Sequence, residues 1–195
     1  NASSDKSVIF NDGITGGGQI IINQPYIFNT QNVPTGGRVV LNSDMSGFVG
    51  DVIIHNGTLE LSDGGKFFTA DNLSVYGGVL DIGSADVSVG AVKFANNGTL
   101  RLSVVSPDVY GTLSGTSFDI ASTAMLDVIL SPDAMDGTDY LRVQLVRGDG
   151  AINDMFNATI NNNIYEFLQL GNGWYEISQV ATFADVIAEN GGTQN

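Results

Sequence analysis

Val52-Ile53-Ile54-His55-Asn56-Gly57-Thr58-Leu59-Glu60-Leu61 admits two folds. Asn-Gly between alternating apolar residues is the strongest short signal for a two-stranded hairpin. The same pattern also marks a corner between two strands that run on into different sheets. What decides between them is recurrence. Gly18, Gly37, Gly57, Gly78 and Gly98 follow one another at intervals of 19, 20, 21 and 20 residues, and each opens a Gly-x-aliphatic-x-aliphatic segment. The aliphatic slots hold Ile20 and Ile22, Val39 and Leu41, Leu59 and Leu61, Leu80 and Ile82, Leu100 and Leu102. A degenerate sixth copy follows 26 residues after Gly98, with Ala124 in the glycine place and Leu126 and Val128 as the aliphatics.

Alternation with period 2 is the mark of a half-buried strand whose aliphatic side chains face inward. A second apolar pair precedes the corner in most periods: Val52 and Ile54, Leu73 and Val75, Val92 and Phe94, Phe118 and Ile120. The residues before the five glycines are Gly17, Gly36, Asn56, Gly77 and Asn97, the two types that most readily take positive φ, so a bend is expected at each. Twenty residues suffice for one turn of a parallel β-helix with short strands, stacked about 4.8 Å from the next and sharing a core that no single turn can bury. A sandwich has no reason to repeat its sequence, whereas a solenoid must. The expected fold is therefore an all-β, single-stranded parallel β-helix. In such a stack Asp81 and Arg101 become vertical neighbours on the outer face, an exposed pair of small worth.

Composition agrees with a folded β protein. The chain has 195 residues, of which 43% are hydrophobic and 14% charged, with 25 glycines, four prolines and no cysteine. With 21 acidic against 7 basic residues the net charge is −14, which repels phosphate backbones and makes nucleic acid an unsuitable partner. The opening Asn1-Ala2-Ser3-Ser4 is neither a signal peptide nor an initiator methionine, so any targeting signal is expected outside these residues.

The stretch Phe48 to Leu61, Phe-Val-Gly-Asp-Val-Ile-Ile-His-Asn-Gly-Thr-Leu-Glu-Leu, resembles the strand repeat of bacterial autotransporter passengers, and Asn97-Gly-Thr-Leu-Arg-Leu102 repeats it. Gly137-Thr-Asp-Tyr-Leu-Arg-Val-Gln-Leu-Val146, with Gly148 and Phe156 beyond, resembles that family's C-terminal autochaperone segment. Leu170-Gly-Asn-Gly-Trp-Tyr-Glu-Ile177 resembles its closing strand, and Gly191-Gly-Thr-Gln-Asn195 the start of the linker into the membrane barrel. A clear run of the family's usual closing motif is absent.

The resemblance implies a right-handed β-helix over residues 1–130, an autochaperone-like cap over 131–180 and a tail toward the membrane anchor over 181–195. Phe183 to Glu189 reads as a short helix or a linker. It further implies a protein of the bacterial cell surface, or secreted, exported through the outer membrane by its own C-terminal β-barrel, with a stalk that supports an adhesin or virulence factor and assists its folding. Host-cell receptors and self-association are the partners that follow.

For chemistry the sequence offers little. The single histidine, His55, sits beside a corner with no serine-nucleophile motif and no cysteine around it. The acids lie at turns and outward slots, not as the paired carboxylates a glycoside hydrolase needs, so a carbohydrate-active β-helix enzyme is the alternative and a non-enzyme the expectation. Asp149 with Asn153 and Asp154 lacks calcium-loop spacing; no metal or cofactor is expected. Arg147-Gly148-Asp149 is the tripeptide many integrin ligands display, and a turn after Leu141 to Val146 is expected to carry it. The sequons at Asn56, Asn72, Asn97 and Asn157 read as corners. Phe156, Phe167, Trp174 and Tyr175 are expected to anchor the cap, with Trp174 in the core.

Overall fold

A computed structural model of the chain describes residues 6–22, 27–28, 31–32, 36–62, 70–135, 138–149, 152, 156–161 and 165–180. The expected tail at 181–195, with Phe183 to Glu189, lies outside the described residues, as do Asn153 and Asp154. Among the described residues there is no helix, and most strand pairing is parallel.

Two parallel sheets carry the molecule. The first stacks Ser7–Phe10, Arg38–Leu41, Thr58–Leu61, Val79–Asp81, Thr99–Ser106, Met125–Leu130 and Asn157–Ile160. The second stacks Gln19–Ile22, Asp51–Ile54, Asn72–Val75, Asp86–Phe94, Thr112–Ile120 and Val146–Gly148. From Ser7 to Ile160 the chain visits them in strict alternation. Asp51–Ile54 and Thr58–Leu61 thus belong to different sheets and form no hairpin. Leu59 lies opposite Leu80, Leu80 opposite Leu100, and Leu100 opposite Leu126, all fully buried. Each such leucine contributes about 2 kcal/mol of burial, and only its neighbours above and below supply the surface it packs on.

The corners follow the glycine pattern, but the bend shifts by one residue at two of them. Positive φ occurs at Gly77 (149°) and Asn97 (64°) as expected, but in the Asn56-Gly57 corner it falls on Gly57 (73°), and Gly16 and Gly18 take it in place of Gly17. Gly98 has ordinary φ and is needed for another reason: a Cβ there would sit 2.5 Å from the Val75 carbonyl oxygen of the preceding period. Of the sequons, Asn72 and Asn157 lie in strands and not at corners. Asn72 Nδ2 donates to Asp51 at 2.7 Å, and Asn157 Nδ2 to the Ser122 carbonyl at 2.6 Å.

A short antiparallel excursion explains the 26-residue interval before the sixth copy. Thr99–Ser106 turns back into Val109–Tyr110, which pairs with it antiparallel, so the extra residues leave the stack and return at Gly111. The nine-residue strands Asp86–Phe94 and Thr112–Ile120 also change phase midway. Val87 and Val89 face inward, then Val92 and Phe94; in the next strand Leu113 and Gly115 do so, then the half-buried Phe118 and Ile120. An inward spacing of three marks a bend in each strand, since a straight one keeps period 2.

Parallel pairing runs past residue 130, where the cap was expected to begin: Val146–Gly148 pairs with Leu113–Gly115, and Asn157–Ile160 with Met125–Val128. Interleaved with these strands is an antiparallel sheet of Tyr140–Gln144, Trp174–Gln179 and Tyr165–Gly171. Leu141, Val143, Tyr175 and Ile177 on its inner face are buried and join the common core. At the opposite edge of the first sheet, Ser7–Phe10 is exposed along its length.

Candidate functional site

Arg147 and Gly148 belong to a strand, not to the exposed turn expected for them, because Val146–Gly148 forms the last rung of the second sheet. Gly148 is there to let that rung lie over Phe118, whose ring a Cβ would meet at 3.1 Å. Asp149 is exposed. Arg147 is half-buried on the outward face, in a column set by register: Ser88 opposite Ser114, Ser114 opposite Arg147. Two clefts flank its side chain. One, of about 320 Å³, is lined by Asp86, Asp108, Tyr110 and Thr112; the other, of about 270 Å³, by Ser88, Ser114, Thr116 and Asp149. The Thr112 hydroxyl donates to Asp86. Arg147 Nε is cut off from solvent and has no hydrogen-bond partner. The sequence reading named Arg147, Gly148 and Asp149 but missed Asp86, Ser88, Thr112, Ser114 and Thr116. The 26-residue offset of Thr112 from Asp86 and of Ser114 from Ser88 was the available signal, and the lengthened period hid it.

The cap residues divide. Phe156 is 3% exposed and meets Phe94 edge-on, ring centroids 4.9 Å apart at 77°. Tyr175 is 1% exposed, stacks on Phe167 at 5.0 Å, and receives a hydrogen bond from Gln169 Nε2 at 3.4 Å. Burial pushes its phenol up to about 12. Trp174 is 42% exposed and does not anchor the core. Adjacent residues of a strand face opposite ways, so seating Tyr175 opposite Val143 turns Trp174 outward, opposite Gln144. Leu141, Val143 and Ile177 complete the buried face that Trp174 was expected to fill.

Several other polar groups are tied to one another. His55 stacks on Tyr76, ring centroids 5.6 Å apart. Arg101 reaches both rungs beside it, Asp127 at 2.7 Å and Asp81 at 3.9 Å, so the expected vertical pair is the weaker of its two contacts. Burial raises the Asp81 carboxyl above the usual range. A trough of about 550 Å³ crosses the outward face of the second sheet between Asp51 and Asp119. There Asn72 and Gln19 donate to Asp51 and hold its carboxyl below the usual range, and Lys93 pairs with Asp119. A carboxyl held ionised in this way is no proton donor near neutral pH. Among the described residues no three His, Asp or Glu side chains converge as a metal site would require.

Comparison of the chain with protein-family models, with curated proteins and with solved structures finds no match in any of the three.

Proposed function

We propose that the chain is a right-handed parallel β-helix that forms the C-terminal stalk of a bacterial autotransporter passenger. It supports a surface adhesin or virulence factor, leaves the cell through its own outer-membrane β-barrel, and assists the folding of the exported chain. The observation that carries this reading is the alternation of one chain between two in-register parallel sheets, ending in an antiparallel sheet that shares its core. A parallel crossover between rungs of one sheet is right-handed in nearly every known case. The C-terminal sheet covers apolar surface that the last parallel rungs would otherwise expose, and an end so closed is a platform on which each earlier rung can settle. The sequence resemblance over Phe48 to Leu61 and Gly137 to Ile177 supplies the family, and the absence of cysteine suits a chain that crosses a membrane unfolded.

Catalysis has less support. Asp51 is held ionised by amide donors, and the first sheet's acids are bound in ladders with Arg38 and Arg101. Display of Arg147-Gly148-Asp149 to an integrin is disfavoured by the burial of Arg147 Nε and the packing of Gly148 on Phe118.

The test is export. Joined to a signal peptide and an outer-membrane barrel, the chain should reach the cell surface in a protease-resistant state. Deletion of residues 165–180 should leave the barrel inserted but the passenger protease-sensitive. Equal protease resistance with and without the deletion contradicts the folding role.

A further inference from the structure

Asn-Gly-Thr-Leu occurs twice in the chain, at Asn56 to Leu59 and at Asn97 to Leu100, and both copies lead into a rung of the first sheet. Before a glycine, a side-chain amide can approach the next backbone nitrogen closely, because no Cβ holds it off. With the same four residues the two copies share their intrinsic chemistry, so any difference between them comes from the fold. At Asn97 the following Gly98 is buried, and its N–H donates to the Ala95 carbonyl at 2.8 Å, closing the turn on the backbone. At Asn56 the following Gly57 is only half-buried, and its N–H donates to Asn56 Oδ1 at 2.8 Å. The Gly57 nitrogen is thus held beside the amide of an exposed asparagine, whose carbon Cγ lies one bond beyond that oxygen.

We propose that Asn56-Gly57 is a self-modification site, at which the chain deamidates through a cyclic imide while Asn97-Gly98 is protected. Hydroxide takes the Gly57 amide proton, and a turn about Cβ–Cγ brings the nitrogen onto Asn56 Cγ. The N–Cγ bond forms, the Cγ–Nδ2 bond breaks, and ammonia leaves with a proton from water. Water then opens the ring at one of its two carbonyls. Opening at Cγ leaves aspartate in place of Asn56; opening at the backbone carbonyl leaves isoaspartate, whose main chain runs through the former side chain and is longer by one methylene. Placement of the reacting atoms separates the two corners, since a misplacement of about 1 Å costs such a step on the order of 100-fold. Either product adds a negative charge to a chain already at −14. Isoaspartate also disturbs the next rung, which lies so close that a Cβ on Gly78 would sit 2.8 Å from the Gly57 carbonyl oxygen and 3.1 Å from the Asn56 carbonyl carbon. Val79 N donates to that same Gly57 oxygen at 2.8 Å, so the joint between Thr58–Leu61 and Val79–Asp81 takes the strain.

Incubation of the full folded chain in mildly alkaline buffer, followed by peptide mapping with mass spectrometry, tests this, and the same chain unfolded in urea is the reference. Folded, the Asn56 peptide should gain the amide-to-acid mass at least about tenfold faster than the Asn97 peptide. In urea the two should convert at the same rate. Asn56→Gln, whose longer side chain would have to close a larger ring, should stop conversion at that corner with the amide spectrum preserved. The isoaspartate form, separated by chromatography, should exchange its amides faster at Thr58–Leu61 and Val79–Asp81 than the fresh chain does. Equal rates at Asn56 and Asn97 in the folded chain, or an Asn56 peptide that stays unconverted when folded while urea converts it, overturns the site. Unchanged exchange at both rungs overturns its effect on the stack.

Discussion

Removing the Tyr175 ring takes away the stacking partner of Phe167 and leaves a void between the C-terminal sheet and the core, while the neighbouring Trp174 faces solvent. Tyr175→Ala should therefore cost about 3 to 5 kcal/mol of unfolding free energy in urea. Trp174→Ala should cost under about 1 kcal/mol. The reverse order would mean that the sheet is seated the other way round. The buried phenol adds a pH signature. Folded, it ionises near 12, and unfolded near the ordinary value of 10, so the folded state binds the extra proton between them. Stability is full below pH 10 and falls as pH rises through 10 toward 12, by at most about 3 kcal/mol. Urea denaturation at about pH 8 and about pH 11 should show a smaller fall for Tyr175→Phe than for the native chain. Equal falls would place the phenol in water.

At the scale of strands and corners, the repeat was legible because inward aliphatics and glycines recur with the period of the rungs themselves. Leu59, Leu80, Leu100 and Leu126 needed no tertiary knowledge to be aligned. What was not legible depends on neighbours far along the chain. Whether Asn56 or Gly57 takes the positive φ is decided by how the next rung approaches, and sequence offers both. The choice between Trp174 and Tyr175 rests on the register of an antiparallel pairing, where a slip of one residue exchanges the two faces. The column of Ser88, Ser114 and Arg147 arises from a period stretched by the Val109–Tyr110 turn, which a search at 20 residues passes over. Glycines separate by the same logic. Gly98→Ala forces a Cβ onto the Val75 carbonyl and should lower stability by about 1 to 3 kcal/mol; Gly17→Ala meets nothing within 4 Å and should change it by under about 0.5 kcal/mol. Thermal denaturation of the two variants should separate them, and equal melting temperatures would remove the close approach from the account.

For the molecule as a whole, stability is a sum of rungs and of the interfaces between successive rungs, so its two ends govern where it opens. Among the described residues Ser7–Phe10 pairs on one side only and leaves Val8, Ile9 and Phe10 exposed, whereas Asn157–Ile160 and Val146–Gly148 end beside a sheet that buries Leu141, Val143, Tyr175 and Ile177. Fraying should start at the first rung, and the C-terminal sheet should hold the far end closed. Amide hydrogen exchange on the intact chain and on the chain lacking residues 165–180 tests this most directly. Exchange should be faster throughout both parallel sheets of the shortened chain, greatest at Asn157–Ile160 and Val146–Gly148 and declining rung by rung toward Ser7–Phe10. Exchange that rises only in Tyr140–Gln144, with every parallel rung as protected as before, would contradict it.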